Sequence, residues 1–359
     1  MLLAADVPGP YALDGFVDEM VFSAGLVQPI ATESLPDGRM LILEKQGRIL
    51  IGDPNSGATS VYMTLTNIDA GQERGLLDIA VSPDFDPAAP GDDYIYLYYT
   101  PAAPQRARIA RFTHQERFGG LTSTASVASE FEVWHDTDGY ISCCHYGGGL
   151  DCGPDGKLWL STADKFTSGN PGEGSLTQNL PQDLTSAGGK VIRVNTDGTA
   201  PDGTDGWPAN PYIDPVDDDP AVAGNQDYHD YIWGYGLRNP FRASWDIPSG
   251  RFIMGEVGGN VQQFSLEDIH AATLDNPDAN FGWPNCEGGG NLTYLTCPED
   301  VSAPIFSYAH AGAGASVTGG EVYHGHQFPA EWQDVYFYGD FTRNFIRYLT
   351  FDAEGNVNG

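Results

Sequence analysis

One histidine, His145, sits among two cysteines and three glycines in the run Cys143-Cys144-His145-Tyr146-Gly147-Gly148-Gly149. A Gly153-Pro154-Asp155-Gly156 turn and the strand-like Lys157-Leu158-Trp159-Leu160-Ser161 follow, and an aspartate, Asp164, comes just after them. Glycines let a ligand approach the backbone closely. A carboxylate brought to an imidazole fixes its tautomer. Imidazoles, with an ordinary pKa near ~6.5, suit the removal of a hydroxyl proton at neutral pH. His145 and Asp164 are therefore the expected catalytic pair.

Three further segments offer ligand chemistry. Gly236-Leu237-Arg238-Asn239-Pro240 sets a rigid fork of donors and an amide before a proline, which suits an anion, a surface ion pair being the plain alternative. Gly255-Glu256-Val257-Gly258-Gly259-Asn260 is followed by Glu267-Asp268. Exposed carbonyls and carboxylates are the hard oxygen ligands that calcium prefers, although a β-turn explains the glycines equally well. His324 and Arg343, in Val322-Tyr323-His324-Gly325 and Gly339-Asp340-Phe341-Thr342-Arg343, place cationic side chains that could complete a pocket for a polycarboxylate. The run Asp217-Asp218-Asp219 reads as a solvated loop tip, with a calcium site as the alternative.

The elements that must position these residues are short strands. Pro-Asp-Gly or Pro-Ser-Gly turns lead into Met40–Leu43, Leu158–Leu160 and Phe252–Met254, and Gln46-Gly47-Arg48 turns back into Ile49–Ile51. Further strands are expected at Asp93–Tyr99, Lys190–Val194 and Val335–Tyr338. Long amphipathic helices are missing. Turn motifs recurring every ~40–50 residues predict an all-β β-propeller, a sandwich being the alternative. Two long stretches, 165–184 and 199–230, read as functional loops.

Composition narrows the classes. The 359 residues include 45 Gly and 25 Pro, and 49 acidic against 17 basic side chains give a net charge of -32. Such a surface repels a nucleic-acid duplex and an anionic membrane. No apolar run approaches the ~18 residues of a membrane span. Cys286 and Cys297 are spaced for a local disulfide in an oxidising compartment; Cys143 and Cys144 are two thiols or a vicinal disulfide; Cys152 reads as an apolar filler. No signal peptide is visible at the start.

In their order these segments resemble the soluble quinoprotein sugar dehydrogenases, the glucose/sorbosone dehydrogenase-like propellers. The resemblance begins at Gly15-Phe16 and Gly25-Leu26-Val27-Gln28-Pro29 and continues through Glu73-Arg74-Gly75-Leu76-Leu77-Asp78 and Ser82-Pro83-Asp84-Phe85. It passes the His145 segment, Gly189-Lys190-Val191-Ile192-Arg193-Val194-Asn195, Arg238-Asn239-Pro240, Asn280-Phe281-Gly282-Trp283-Pro284 and Gly339-Asp340-Phe341. It implies a single six-bladed propeller domain over residues 1–359, its last blade incomplete, placed in the periplasm or secreted.

By the same resemblance His145 is the base and Asp164 its orienting carboxylate. Glu73, Arg238, Asn239 and Arg343 fall on contacts to pyrroloquinoline quinone (PQQ), and His324 stands where a lysine or arginine often serves. Gly258 and Gly259 would bind calcium (Ca2+) through their carbonyls, and Glu267 and Asp268 fall near a second calcium. The implied reaction oxidises the anomeric hydroxyl of an aldose to a lactone, with hydride passing to the quinone and then to an external electron acceptor. Cys143-Cys144 departs from the glucose-oxidising members. A non-catalytic extracellular recognition propeller and a calcium-dependent lactonase are the competing expectations.

Overall fold

The turns close where the sequence places them. Gly38 N donates to Leu35 O and Gly156 N to Gly153 O, both at 2.9 Å. The two glycines lie at φ 85° and 71°, where a side chain would be strained. The computed structural model describes residues 15–17, 19–23, 25–88, 93–117, 120–140, 142–166, 179–213, 228–260, 265–291, 296–310 and 314–358. Asp217-Asp218-Asp219 lies outside them.

Among the described residues the strands form five blade-like sheets and a two-stranded ribbon, Cys286–Glu287 with Gly290–Asn291. The innermost strands are, in order, Pro29–Ser34, Leu76–Val81, Gly149–Cys152, Pro240–Asp246 and Val317–Tyr323. Each starts an antiparallel meander whose second strand is Met40–Glu44, Tyr94–Tyr99, Leu158–Ser161, Arg251–Glu256 or Val335–Asp340. Neighbouring inner strands run the same way. Asp78 Oδ2 accepts from Leu150 N and Asp151 Oδ2 from Trp245 N. Ser244 Oγ donates to Gly320 O. The starts of all these strands therefore share one face of the ring and their ends share the other.

Hydrophobic wedges fill the gaps between sheets. Ile49, Ile51, Ile79, Leu97 and Phe112 join the first and second; Tyr98, Ile109, Leu150, Leu160 and Ile192 the second and third. Trp159, Trp233, Trp245 and Phe252 stack between the third and fourth, with ring centroids 4.9 to 5.9 Å apart. Ile253, Ile269, Val317 and Tyr336 seal the fourth to the fifth. Burying each such side chain contributes about 1.5–3 kcal/mol, so the wedges fix the angle between blades.

The expected all-β propeller is present, but the described residues form five blades and not six. The third sheet draws its first four strands from residues between Gly149 and Tyr235, and the fourth collects its outer strand, Phe306–Ala309, after residues 274–305. The fifth sheet has three strands.

All the strands expected from the sequence are observed within a residue or two. The inner strands escaped notice because the axis selects small and polar residues. At Gly319 a Cβ would lie 2.5 Å from Arg242 O, and at Gly320 it would lie 1.8 Å from Phe337 O. Around the axis runs a channel of about 250 Å³, lined by Glu33, Asp78, Asp151, Arg242 and Glu321 among others. Burial pushes Asp78 up to about 7 and Asp151 up to about 6.

Candidate active site

His145 and Asp164 meet although 19 residues separate them. His145 Nδ1 lies 2.6 Å from Asp164 Oδ1, and both side chains are buried. The third blade brings them together: its inner strand follows the His145 turn, and its second strand, Leu158–Ser161, returns antiparallel beside it. His145 adopts φ +61°, an uncommon conformation for a residue with a side chain. Its backbone is anchored by a 2.6 Å hydrogen bond from N to Glu73 Oε2 and by Lys165 N donating to its carbonyl at 3.0 Å. Gly147, Gly148 and Gly149 let this turn press on the neighbouring strands; a Cβ on Gly147 would sit 2.4 Å from Ser161 O. With Nδ1 engaged, Nε2 has no hydrogen-bond partner among the described residues. Phe166 packs edge-on against the ring at 4.9 Å.

Asp164 is the hub of the site. Phe166 N and Trp283 Nε1 donate to it at 2.8 and 3.1 Å, and its own N donates to Arg238 O at 2.7 Å. Three donors, His145 Nδ1 among them, converge on one buried carboxylate and hold it in place. Trp283 arrives from the fourth blade's excursion, which returns Ala279–Asn280 to the edge of the third sheet. The Arg238 guanidinium lies over the Trp283 ring at 5.4 Å and spends one nitrogen, Nη1, on Val257 O. Among the described residues Nε and Nη2 have no hydrogen-bond partner. Asn239 beside it is buried with Oδ1 unpartnered.

Next to this lies a buried acidic cluster. Ligand atoms of Glu256, Asp268 and His270 lie within 4.8 Å of one another. His270 Nε2 pairs with Glu256 Oε2 at 2.7 Å. Burial opposes a charge on His270, yet the hydrogen bond and charge of Glu256, helped by Asp268, raise its pKa. Glu287, which sequence reasoning missed, accepts from Gly259 N at 2.6 Å, and burial pushes it up to about 8. Asp268 Oδ1 and Glu287 Oε2 are buried without partners. Buried oxygens of this kind are what a cation would satisfy. At Gly258 a Cβ would fall 2.4 Å from Glu287 Oε1, so glycine is what lets the carboxylate reach the turn.

The structure parts Glu267 from Asp268 and sets His324 away from the other expected site residues. Glu267 and Asp268 are neighbours on the strand Leu266–Thr273 and so face opposite sides of the sheet. Asp268 joins Glu256 and His270, whereas Glu267 faces the fifth blade. There it accepts from His310 Nε2 at 2.5 Å, Val317 N at 2.6 Å and Gly258 N at 3.3 Å. Glu267 therefore ties the fifth blade to the Gly258 turn. His324 follows the end of the fifth inner strand and pairs with Asp246 Oδ1 at 2.7 Å. Asp246 ends the strand that Arg238 and Asn239 precede, which puts His324 on the opposite face, about 20 Å away.

Arg343 is on the same face as His145, but Nε donates to Gly314 O and Nη2 to Ala309 O and His310 O. The structure thus brings together His145, Asp164, Glu73, Arg238, Asn239, Gly258, Gly259 and Asp268.

The sequence profile of the glucose/sorbosone dehydrogenases matches residues 26–359. The chain belongs to that family. It is 25% identical over 339 residues to the aldose sugar dehydrogenase YliI of Escherichia coli, covering 92% of this chain and 79% of that one. A protein of Synechocystis sp. is 28% identical over 354 residues, covering 93% and 75%. Among solved structures, the PQQ-bound aldose sugar dehydrogenase of Streptomyces coelicolor superposes with TM-score 0.67 at 22% identity, covering 95% of this chain and 82% of that one, a likeness of fold.

Proposed function

We propose that this chain is a PQQ- and calcium-dependent aldose dehydrogenase in which His145 is the general base. The observation that carries the reading is the buried His145–Asp164 pair, with Nε2 left open and Arg238 beside it.

The residues present suit the cofactors. Free guanidinium nitrogens on Arg238 fit a polycarboxylate. The unpartnered oxygens of Asn239, Asp268 and Glu287 fit a hard cation held beside the Gly258–Gly259 turn. When bound, the quinone supplies a two-electron acceptor and calcium a polarising charge.

The chain's own part is proton transfer and positioning. His145 Nε2 takes the anomeric hydroxyl proton, and Asp164 stabilises the imidazolium that results. Trp283 and Phe166 N hold Asp164 so that the pair needs no rearrangement during transfer. Glu73 fixes the backbone that carries the base.

An external electron acceptor would then reoxidise the cofactor. Disulfides at Cys143–Cys144 and Cys286–Cys297 support a periplasmic or secreted location. No helix among the described residues is long and apolar enough to cross a membrane.

A recognition propeller without catalysis is the second reading. It is favoured by the position of His324 and by the spending of Arg343 on carbonyls. Calorimetric titration of PQQ in the presence of calcium separates the two. Stoichiometric binding, with dye-linked oxidation of at least one aldose, is expected; absence of binding would end the quinoprotein reading.

A further inference from the structure

We propose that the Cys143–Cys144 disulfide is a redox-sensitive positioning element for His145. Closed, it holds the imidazole on Asp164; opened by a thiol or phosphine, it lets the imidazole leave. The catalytic consequence rests on the reading of His145 as a base, while the structural consequence does not.

A disulfide stabilises a fold mainly by restricting the unfolded chain, and the gain grows with the loop it closes. Cys286–Cys297 spans a sequence separation of 11. Cys143–Cys144 has a separation of 1, so it closes almost no loop. Its effect must fall on the local native backbone, and the next residue is His145 at φ +61°.

The anchors of this turn lie on either side of the cysteines. Arg74 Nη1 and Tyr146 OH both donate to Ser142 O at 2.9 Å. His145 N is held by Glu73, and Tyr98 OH donates to Tyr146 O at 2.7 Å. Between them, Cys144 N reaches only Ser142 Oγ, at 3.2 Å, and the backbone of Cys143 makes no hydrogen bond among the described residues. Ser142 Oγ also donates to Cys144 O at 3.1 Å, so beside this one hydroxyl the disulfide is the remaining constraint on that peptide.

It is also reachable. Both cysteines are half-buried whereas His145 is buried, and Cys144 Sγ lies 3.6 Å from Gln72 Oε1 on the exposed loop that carries Glu73. Accessible disulfides are the ones that respond to the surrounding redox poise. Reduction by a phosphine breaks the S–S bond and delivers two electrons. Water supplies two protons to the thiols and its oxygen to the phosphine oxide. The freed peptide regains its torsions, and a residue with a side chain at positive φ relaxes toward the common regions.

The test uses quinone-free, calcium-free protein labelled with 15N-histidine, with the His145 ring signal assigned by His145→Gln. In the oxidised protein the Nδ1 proton should exchange slowly with solvent. After a phosphine opens Cys143–Cys144, confirmed by mass spectrometry, exchange should accelerate at least tenfold, and oxidised glutathione should restore it. The double variant Cys143→Ser/Cys144→Ser, or Cys144→Ser alone if the double does not fold, should show fast exchange at the outset and ignore the phosphine. An unchanged wild-type signal overturns the proposal. So does a phosphine response in the variant, which would assign the effect to Cys286–Cys297. In quinone-loaded enzyme kcat should fall about fivefold on reduction with KM unchanged. Failure of quinone binding would sink the catalytic reading and leave the ring-exchange result standing.

Discussion

Replacing Glu287 by Gln should change how stability depends on pH. Glu287 is 8% exposed, accepts one hydrogen bond from Gly259 N, and leaves Oε2 without a hydrogen-bond partner among the described residues. Burial is the main cause of its rise from an ordinary 4.5 to about 8. A carboxyl whose pKa is higher in the folded state binds a proton there that the unfolded chain has released. Its contribution is intact below the unfolded value and is lost as pH climbs toward the folded one. Between pH 5 and pH 7 the unfolded state gains about two pH units of ionisation free energy, or about 2–3 kcal/mol at ~1.4 kcal/mol per unit. Metal-free wild type, unfolded by urea in chelator, should lose that much more stability over this interval than Glu287→Gln. Asp78 and Asp151 contribute in the same direction to both proteins and cancel in the difference. Calcium, by stabilising the ionised carboxylate, should flatten the wild-type slope and leave the variant unaffected. Parallel pH profiles for the two metal-free proteins would refute the argument.

Other expectations follow from the same geometry. His145→Ala should reduce dye-linked aldose oxidation by about 10²–10⁴-fold while quinone binding by calorimetry persists. Asp164→Asn should cost at least about tenfold in kcat, since the tautomer and orientation of the base are no longer held, with KM little changed. Gly147→Ala, at φ +73° and with its Cβ 2.4 Å from Ser161 O, should lower stability by more than ~1 kcal/mol in urea titration and reduce turnover with it. Glu267→Ala should cost about 3–5 kcal/mol in the same assay because His310 and two backbone amides lose a fully buried partner. Calcium affinity should fall less than in Asp268→Ala.

The second strands of the blades were legible because turn residues precede alternating or continuous apolar runs, as at Pro36-Asp37-Gly38 before Met40–Glu44. The site residues closest to a turn were legible too: His145 by its glycines, Arg238 and Asn239 by the proline after them. Glu287 was not, since it stands in a Cys-Glu-Gly-Gly run that resembles any loop and becomes significant only when the ribbon folds onto Gly259. The face on which His324 lies was not legible for a related reason. Both ends of a strand look alike in sequence, and only the parallel course of the inner strands shows which end shares a face with the base.

The sequence by itself determined the local grammar: turn positions, strand identities, an acidic surface, and a histidine on a glycine-lined bend with a carboxylate one hairpin away. Tertiary structure decided the blade number, the separation of Glu267 from Asp268, and the delivery of Trp283 to Asp164 from a different blade. Turns and strands depend on torsions and hydrophobic periods within a few residues. Partners more than 100 residues apart are set by how sheets wedge around an axis, which no local pattern encodes.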